Sequence, residues 1–172
     1  CMSYKVPPER IIYSGVQKTE ENVAEAAGYG VTVFTAESKK HVRIINEQGS
    51  KDGKRYELLL RLNAGSQFGM SREDLFEVLK EAGQLNGVKL TGIHYFAGTG
   101  RQKISKQEKE LGELMELFEE IKDTDGSEES LSELCKLEYG PGLPFPYFEG
   151  DDFSDTLYLK QNFFKKFCLK SC

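Results

Sequence analysis

Ala97, Gly98, Thr99 and Gly100 follow an apolar, β-prone run from Gly92 to Phe96. Small side chains, one hydroxyl and bare backbone N–H groups are what a chain needs to approach a phosphate closely. A second turn of this kind, Gly140-Pro141-Gly142, lies about 40 residues further on. Together the two could hold one phosphate through backbone N–H groups and the Thr99 hydroxyl. Glycines at such places also serve turn geometry alone.

Other residues could do chemistry. Arg61 sits inside the apolar run Leu58, Leu59, Leu60, Leu62. A guanidinium there must find partners or cost several kcal/mol. It is either part of a site interior or an arginine reaching out from a strand end. His94 lies in a strand, where a lone histidine is more often a satisfied core residue. Glu37 ends a strand and could line a site mouth, whereas Ser38 is explained as a helix cap. Lys18 reads as a solvated residue of a helix's first turn.

The elements that position these residues alternate. Residues 10–15, 31–36, 56–63, 88–96 and 132–140 read as strands, rich in β-branched and apolar side chains. The third is apolar enough to be buried on both faces. Helices fill the gaps. Thr19 caps the first, with Glu20 and Glu21 in its first turn, where the helix dipole favours acids. Ser38 begins the second and Gly49 closes it. Ser71 caps the third, whose inner stripe is Leu75, Val78, Leu79 and Ala82. The fourth, near residues 102–123, presents Leu111, Leu114, Met115, Phe118 and Ile121 on one face. The order β-α-β-α-β-α-β-α-β implies a parallel sheet with helices outside. It fits either a doubly wound sheet or part of a (β/α)8 barrel. In both, ligands bind at the carboxyl ends of the strands, where both glycine turns fall.

Composition narrows the class. The 172 residues are 38% hydrophobic and 30% charged, a globular balance. A net charge of −5 argues against a nucleic-acid partner. No apolar run approaches the length of a membrane span, so a soluble cytoplasmic protein is expected. Cys1, Cys135, Cys168 and Cys172 form no CxxC pair and read as reduced thiols. Neither His41 nor His94 shows a metal spacing.

Taken in order, "PPERIIYSGVQKTEENVAEAAGYGV", "FTAES", "LLLRLNAGSQFGM", "LTGIHYFAGTG" and "LEYGPGLPFPYF" resemble the barrel domain of the pyridoxal-phosphate-dependent decarboxylases. This is the alanine-racemase-like group that includes diaminopimelate, ornithine and arginine decarboxylases. The resemblance runs from about Pro7 to about Asp152. It implies a partial (β/α)8 barrel, about five parallel strands with outer helices, truncated at both ends and equivalent to strands three to seven of eight. Residues 1–152 would form this domain, and 153–172 a truncated tail.

The cofactor implied is pyridoxal 5'-phosphate. Thr99, beside Gly98, takes the place of the family's phosphate-binding hydroxyl. Gly140, Pro141 and Gly142 take the place of its three-glycine phosphate turn, and Arg61 that of an arginine facing the cofactor pocket. The family's ring-stacking histidine falls on Phe96, with His94 two positions earlier on the same strand face. A phenyl ring can stack on a pyridine but cannot hydrogen-bond or share charge. Pro141 removes one backbone N–H from the turn. The family's cofactor-binding lysine, its pyridine-pairing glutamate and its C-terminal-domain cysteine have no counterpart here, and Lys103 would sit near the phosphate rather than the aldehyde.

The expected function is thus that of a fragment of an amino-acid decarboxylase, a lyase acting on a small amino acid, inactive alone and drawn from a homodimeric parent. The alternatives are a racemase or cofactor-carrier relative, a non-catalytic regulatory relative, or an unrelated doubly wound phosphate binder. With bare sheet edges, self-association is expected.

Overall fold

A computed structural model describes residues 4–101, 103–124, 131–143 and 147–150. The tail 153–172 and three of the cysteines, Cys1, Cys168 and Cys172, lie outside the described residues. Five strands, β1 (Ile12–Tyr13), β2 (Val33–Ala36), β3 (Tyr56–Leu62), β4 (Val88–Phe96) and β5 (Lys136–Gly140), alternate with four helices. These are α1 (Glu20–Gly28), α2 (Lys39–Lys51), α3 (Arg72–Lys80) and α4 (Ile104–Lys122). All strand pairs are parallel and the order across the sheet is β1-β2-β3-β4-β5. Each strand therefore lies beside its predecessor. A right-handed crossover at every step carries every helix to the same face, which gives a half-barrel rather than a doubly wound sheet.

Local chemistry explains the helix starts. The side chains of Thr19, Ser38 and Ser71 accept from the N–H of Asn22, His41 and Asp74. The helix-facing core joins Phe34 of β2, Leu58 and Leu60 of β3, and Leu90 and Ile93 of β4 to the inner stripes of the helices. Leu75, Val78, Leu79 and Ala82 are buried as their spacing predicts. On α4 the stripe is Leu111, Leu114, Leu117, Phe118 and Ile121, with Leu117 in the place expected for Met115.

Gly49 does not end α2, which runs on to Lys51. It lies against Gly87, where a Cβ would overlap the Gly87 carbonyl, so it serves helix-to-loop packing. The register of β3 against β4 slips by one between Leu58 and Leu59: Leu58 aligns with Leu90, but Leu59 with Gly92. The extra residue, Thr91, reverses the alternation of β4 beyond it. Ile93 then joins the helix-facing core, and Gly92, His94 and Phe96 face the other way.

Candidate functional site

The face of the sheet away from the helices carries a row of ionisable groups. Arg61 aligns with His94, and His94 with Glu138 on β5. Glu37, one residue beyond the end of β2, completes the row: the Arg61 guanidinium donates to Glu37 Oε1 at 2.7 Å, with both side chains buried. Phe68, in the loop after β3, lies 5.4 Å from the guanidinium. Arg61 is thus an interior residue, held by a carboxylate and an aromatic face, and not one reaching to solvent.

Lys18 departs most from its sequence reading. It is 3% exposed, not solvated. Its ammonium donates to the Gly15 carbonyl and to Thr35 Oγ1, and lies 5.6 Å from the Tyr13 ring. Burial brings its pKa down to about 8, against the attraction of Glu37 and with the repulsion of Arg61. His41 accepts from the Glu37 N–H through Nδ1 at 3.4 Å, and burial lowers its pKa. His94 also titrates below the usual imidazole range, first because it is buried, with Glu138 opposing. His94 Nδ1 and Glu138 Oε2 are buried without a hydrogen-bond partner among the described residues.

The two glycine turns lie at the same end of adjacent strands. The Arg101 N–H donates to the Gly142 carbonyl at 2.9 Å. Gly142 has φ +61°, and a Cβ there would overlap the Gly98 carbonyl. Gly98 and Gly100 also have positive φ. Phe96 aligns with Gly140, and a Cβ at Gly140 would meet the phenyl ring at 2.5 Å. Phe96 lies two residues beyond His94, about 7 Å along the strand. The expected site residues therefore fall in two layers. Gly98, Thr99, Gly140, Pro141 and Gly142 form the rim, Arg61 and His94 form the row beneath, and Phe96 stands between.

Sequence reasoning missed Lys18, Glu138 and a network around Arg101. Period-two alternation along Lys136-Leu137-Glu138-Tyr139-Gly140 could have placed Glu138 on the same face as Gly140. Arg101 is ion-paired with Glu110 of α4, whose other oxygen accepts from the Tyr139 hydroxyl at 3.0 Å. Burial pushes the Tyr139 phenol up to about 12. Nothing local in the sequence signals this pairing. α4 also differs from its neighbours, since its N-cap, Lys103, makes no side-chain capping bond.

Comparison with known proteins adds relatives. The family described as "Pyridoxal-dependent decarboxylase, pyridoxal binding domain" matches residues 1–156. A diaminopimelate decarboxylase of Aquifex aeolicus is 27% identical over 131 residues, covering 67% of this chain and 31% of that protein. One from Methanocaldococcus jannaschii is 24% identical over 161 residues, covering 84% and 35%. The chain spans about a third of the length of these curated relatives. Among solved structures, a diaminopimelate decarboxylase from M. jannaschii in complex with L-lysine superposes with a TM-score of 0.78 at 22% identity, over 98% of this chain and 42% of that one. The arginine decarboxylase of Paramecium bursaria Chlorella virus gives 0.73 at 20% identity, over 98% and 44%.

Proposed function

The chain belongs to the pyridoxal-dependent decarboxylase family through its pyridoxal-binding domain, and from that premise we propose that its two glycine turns hold the phosphate of pyridoxal 5'-phosphate for an amino-acid decarboxylase. The observation that carries the reading is the junction of the turns, where Arg101 and Gly142 are hydrogen-bonded and only hydrogen fits at Gly142. The residues fit such a group. Gly98 and Gly100 have positive φ with open space where a side chain would stand, and α4 offers an N-terminus without a side-chain cap, where an anion is favoured.

When bound, the cofactor supplies an electron sink for the charge left as carbon dioxide departs. The chain's own residues bind and orient. Gly98, Thr99, Gly140 and Gly142 take the phosphate. Pro141 contributes no N–H but holds its turn's φ. Phe96 offers a flat apolar surface for the ring and moves no proton. Arg61, fixed by Glu37, would present its guanidinium to the cofactor site, with His94, neutral near pH 7, and Glu138 aligned beside it.

The substrate class favoured is a small amino acid with a second charged end, because the curated relatives are diaminopimelate decarboxylases. In this reading the chain by itself releases no carbon dioxide. Phe96 and Pro141 favour one second reading, a relative that keeps the barrel and has lost the cofactor.

The purified chain tests both readings. Equilibrium dialysis and tyrosine fluorescence should show pyridoxal phosphate binding more tightly than pyridoxal, with inorganic phosphate competing. No binding of pyridoxal phosphate, or equal binding of the two, would refute the phosphate assignment and support the second reading.

A further inference from the structure

Arg101 ties the two turns together in more than one way. Its backbone N–H donates to the Gly142 carbonyl at 2.9 Å, and its Nη1 donates to the Pro141 carbonyl at 3.4 Å. Its Cδ is 3.2 Å from where a Gly142 Cβ would stand, so the side chain runs along the turn. The guanidinium is anchored on the far side by Glu110, and both side chains are largely buried. Glu110 is fixed in turn by the Tyr139 hydroxyl, and Tyr139 stacks on Tyr95 with ring centroids 6.2 Å apart and planes 11° from parallel. One side chain thus joins the β4 turn, the β5 turn and α4.

The consequence follows from peptide planarity. In a trans peptide the C=O and N–H point in opposite directions. The Pro141 carbonyl shares its peptide with the Gly142 N–H, and the Gly142 carbonyl shares its peptide with the Leu143 N–H. Both carbonyls are turned toward Arg101, so both N–H groups are turned away from it. Pro141 contributes no N–H to the turn, so the Gly142 and Leu143 N–H groups are the donors it offers beyond Pro141, and Arg101 holds the carbonyl ends of both their peptides.

We propose that Arg101 is a positioning residue for phosphate recognition: by holding the Pro141 and Gly142 carbonyls it aims the Gly142 and Leu143 N–H groups at the anion, without contacting the anion itself. This rests on the phosphate reading above and deepens it. The two fail differently. If Arg101 acted by charge alone, lysine would replace it. If it acted only as packing, its loss would lower stability and leave phosphate preference intact.

The test compares the 172-residue chain with Arg101→Met, Arg101→Lys and Glu110→Gln. Affinities for pyridoxal phosphate and for pyridoxal are measured, together with urea midpoints and the amide NMR shifts of Gly142 and Leu143 on adding inorganic phosphate. Losing one well-aimed donor to a charged group is worth about tenfold in affinity. Arg101→Met and Arg101→Lys should therefore each bind pyridoxal phosphate about tenfold more weakly, with pyridoxal affinity unchanged and smaller phosphate-induced shifts at Gly142. Glu110→Gln keeps the guanidinium but loosens its anchor, and should show a smaller loss in the same direction; it carries the test if the Arg101 variants do not fold. Unchanged selectivity in folded variants, or full retention by Arg101→Lys, overturns the inference and leaves the phosphate reading standing. A wild-type chain with no preference for pyridoxal phosphate over pyridoxal overturns both.

Discussion

Replacing Lys18 by methionine should change how stability depends on pH. Lys18 is 3% exposed and its pKa falls from 10.5 to about 8, with burial outweighing the attraction of Glu37. The unfolded chain therefore holds this proton more tightly than the folded one. Stability rises with pH wherever the unfolded state binds more protons. The penalty is complete below about pH 8 and is relieved as pH climbs from about 8 toward 10.5. A difference of 2.5 pKa units corresponds to about 3 kcal/mol over the full window. Of this, roughly 2 kcal/mol falls between pH 7 and 9.5. Lys18→Met keeps most of the stem's volume and removes the titration.

The assay is urea denaturation of both proteins at several pH values in that interval, followed by circular dichroism. Other lysines and tyrosines titrate in both proteins and cancel in the difference. Relative to the variant, the wild type should gain about 2 kcal/mol from pH 7 to 9.5, close to 1 M in urea midpoint for a chain of this size. Parallel curves for the two proteins, or a wild type that loses ground as pH rises, would refute the reasoning and mean that the ammonium is solvated.

Three further outcomes follow from the same region. Glu37→Gln or Arg61→Met alone strands one half of a buried ion pair and should cost about 3–5 kcal/mol in urea unfolding, while the double variant recovers much of that loss. Gly142→Ala sets a Cβ against the Gly98 carbonyl at φ +61°; it should cost about 1–3 kcal/mol and abolish any pyridoxal phosphate binding, as dialysis would reveal. His94 should titrate by NMR below 6.5, and further below it in Glu138→Gln, which removes the opposing attraction. Its folded pKa is depressed, so its contribution to stability is present above about 6.5 and fades as pH falls through the folded value. A His94 midpoint above 6.5 would contradict the burial argument.

Much of the architecture was legible because it depends on short-range periodicity. Val88–Phe96 is rich in β-prone residues, and Leu75, Val78 and Leu79 recur at helical spacing, so their element types follow from pattern alone. Thr19, Ser38 and Ser71 announce helix starts because a capping oxygen bonds an N–H three residues away. The glycine turns were legible as turns, and their place at the carboxyl ends of strands follows from a parallel sheet.

Pairing across the sheet was not legible, because it depends on register between segments far apart in the chain. Strict alternation from Leu90 would have turned His94 toward the helices; the slip at Thr91 is what brings it into line with Arg61 and Glu138. Lys18 looks like a solvated first-turn residue in sequence, and only the packing of the β1–α1 loop against Thr35 and Tyr13 buries it. Arg101 meets Pro141 and Gly142 across 40 and 41 residues, through a contact that exists only once β4 and β5 are side by side. By itself the sequence determined the alternation of strands and helices, their caps and the chemistry available at the strand ends. Tertiary structure decided which of those groups meet, because burial and hydrogen-bond partners are properties of neighbours in space, set by strand register and loop packing rather than by position along the chain.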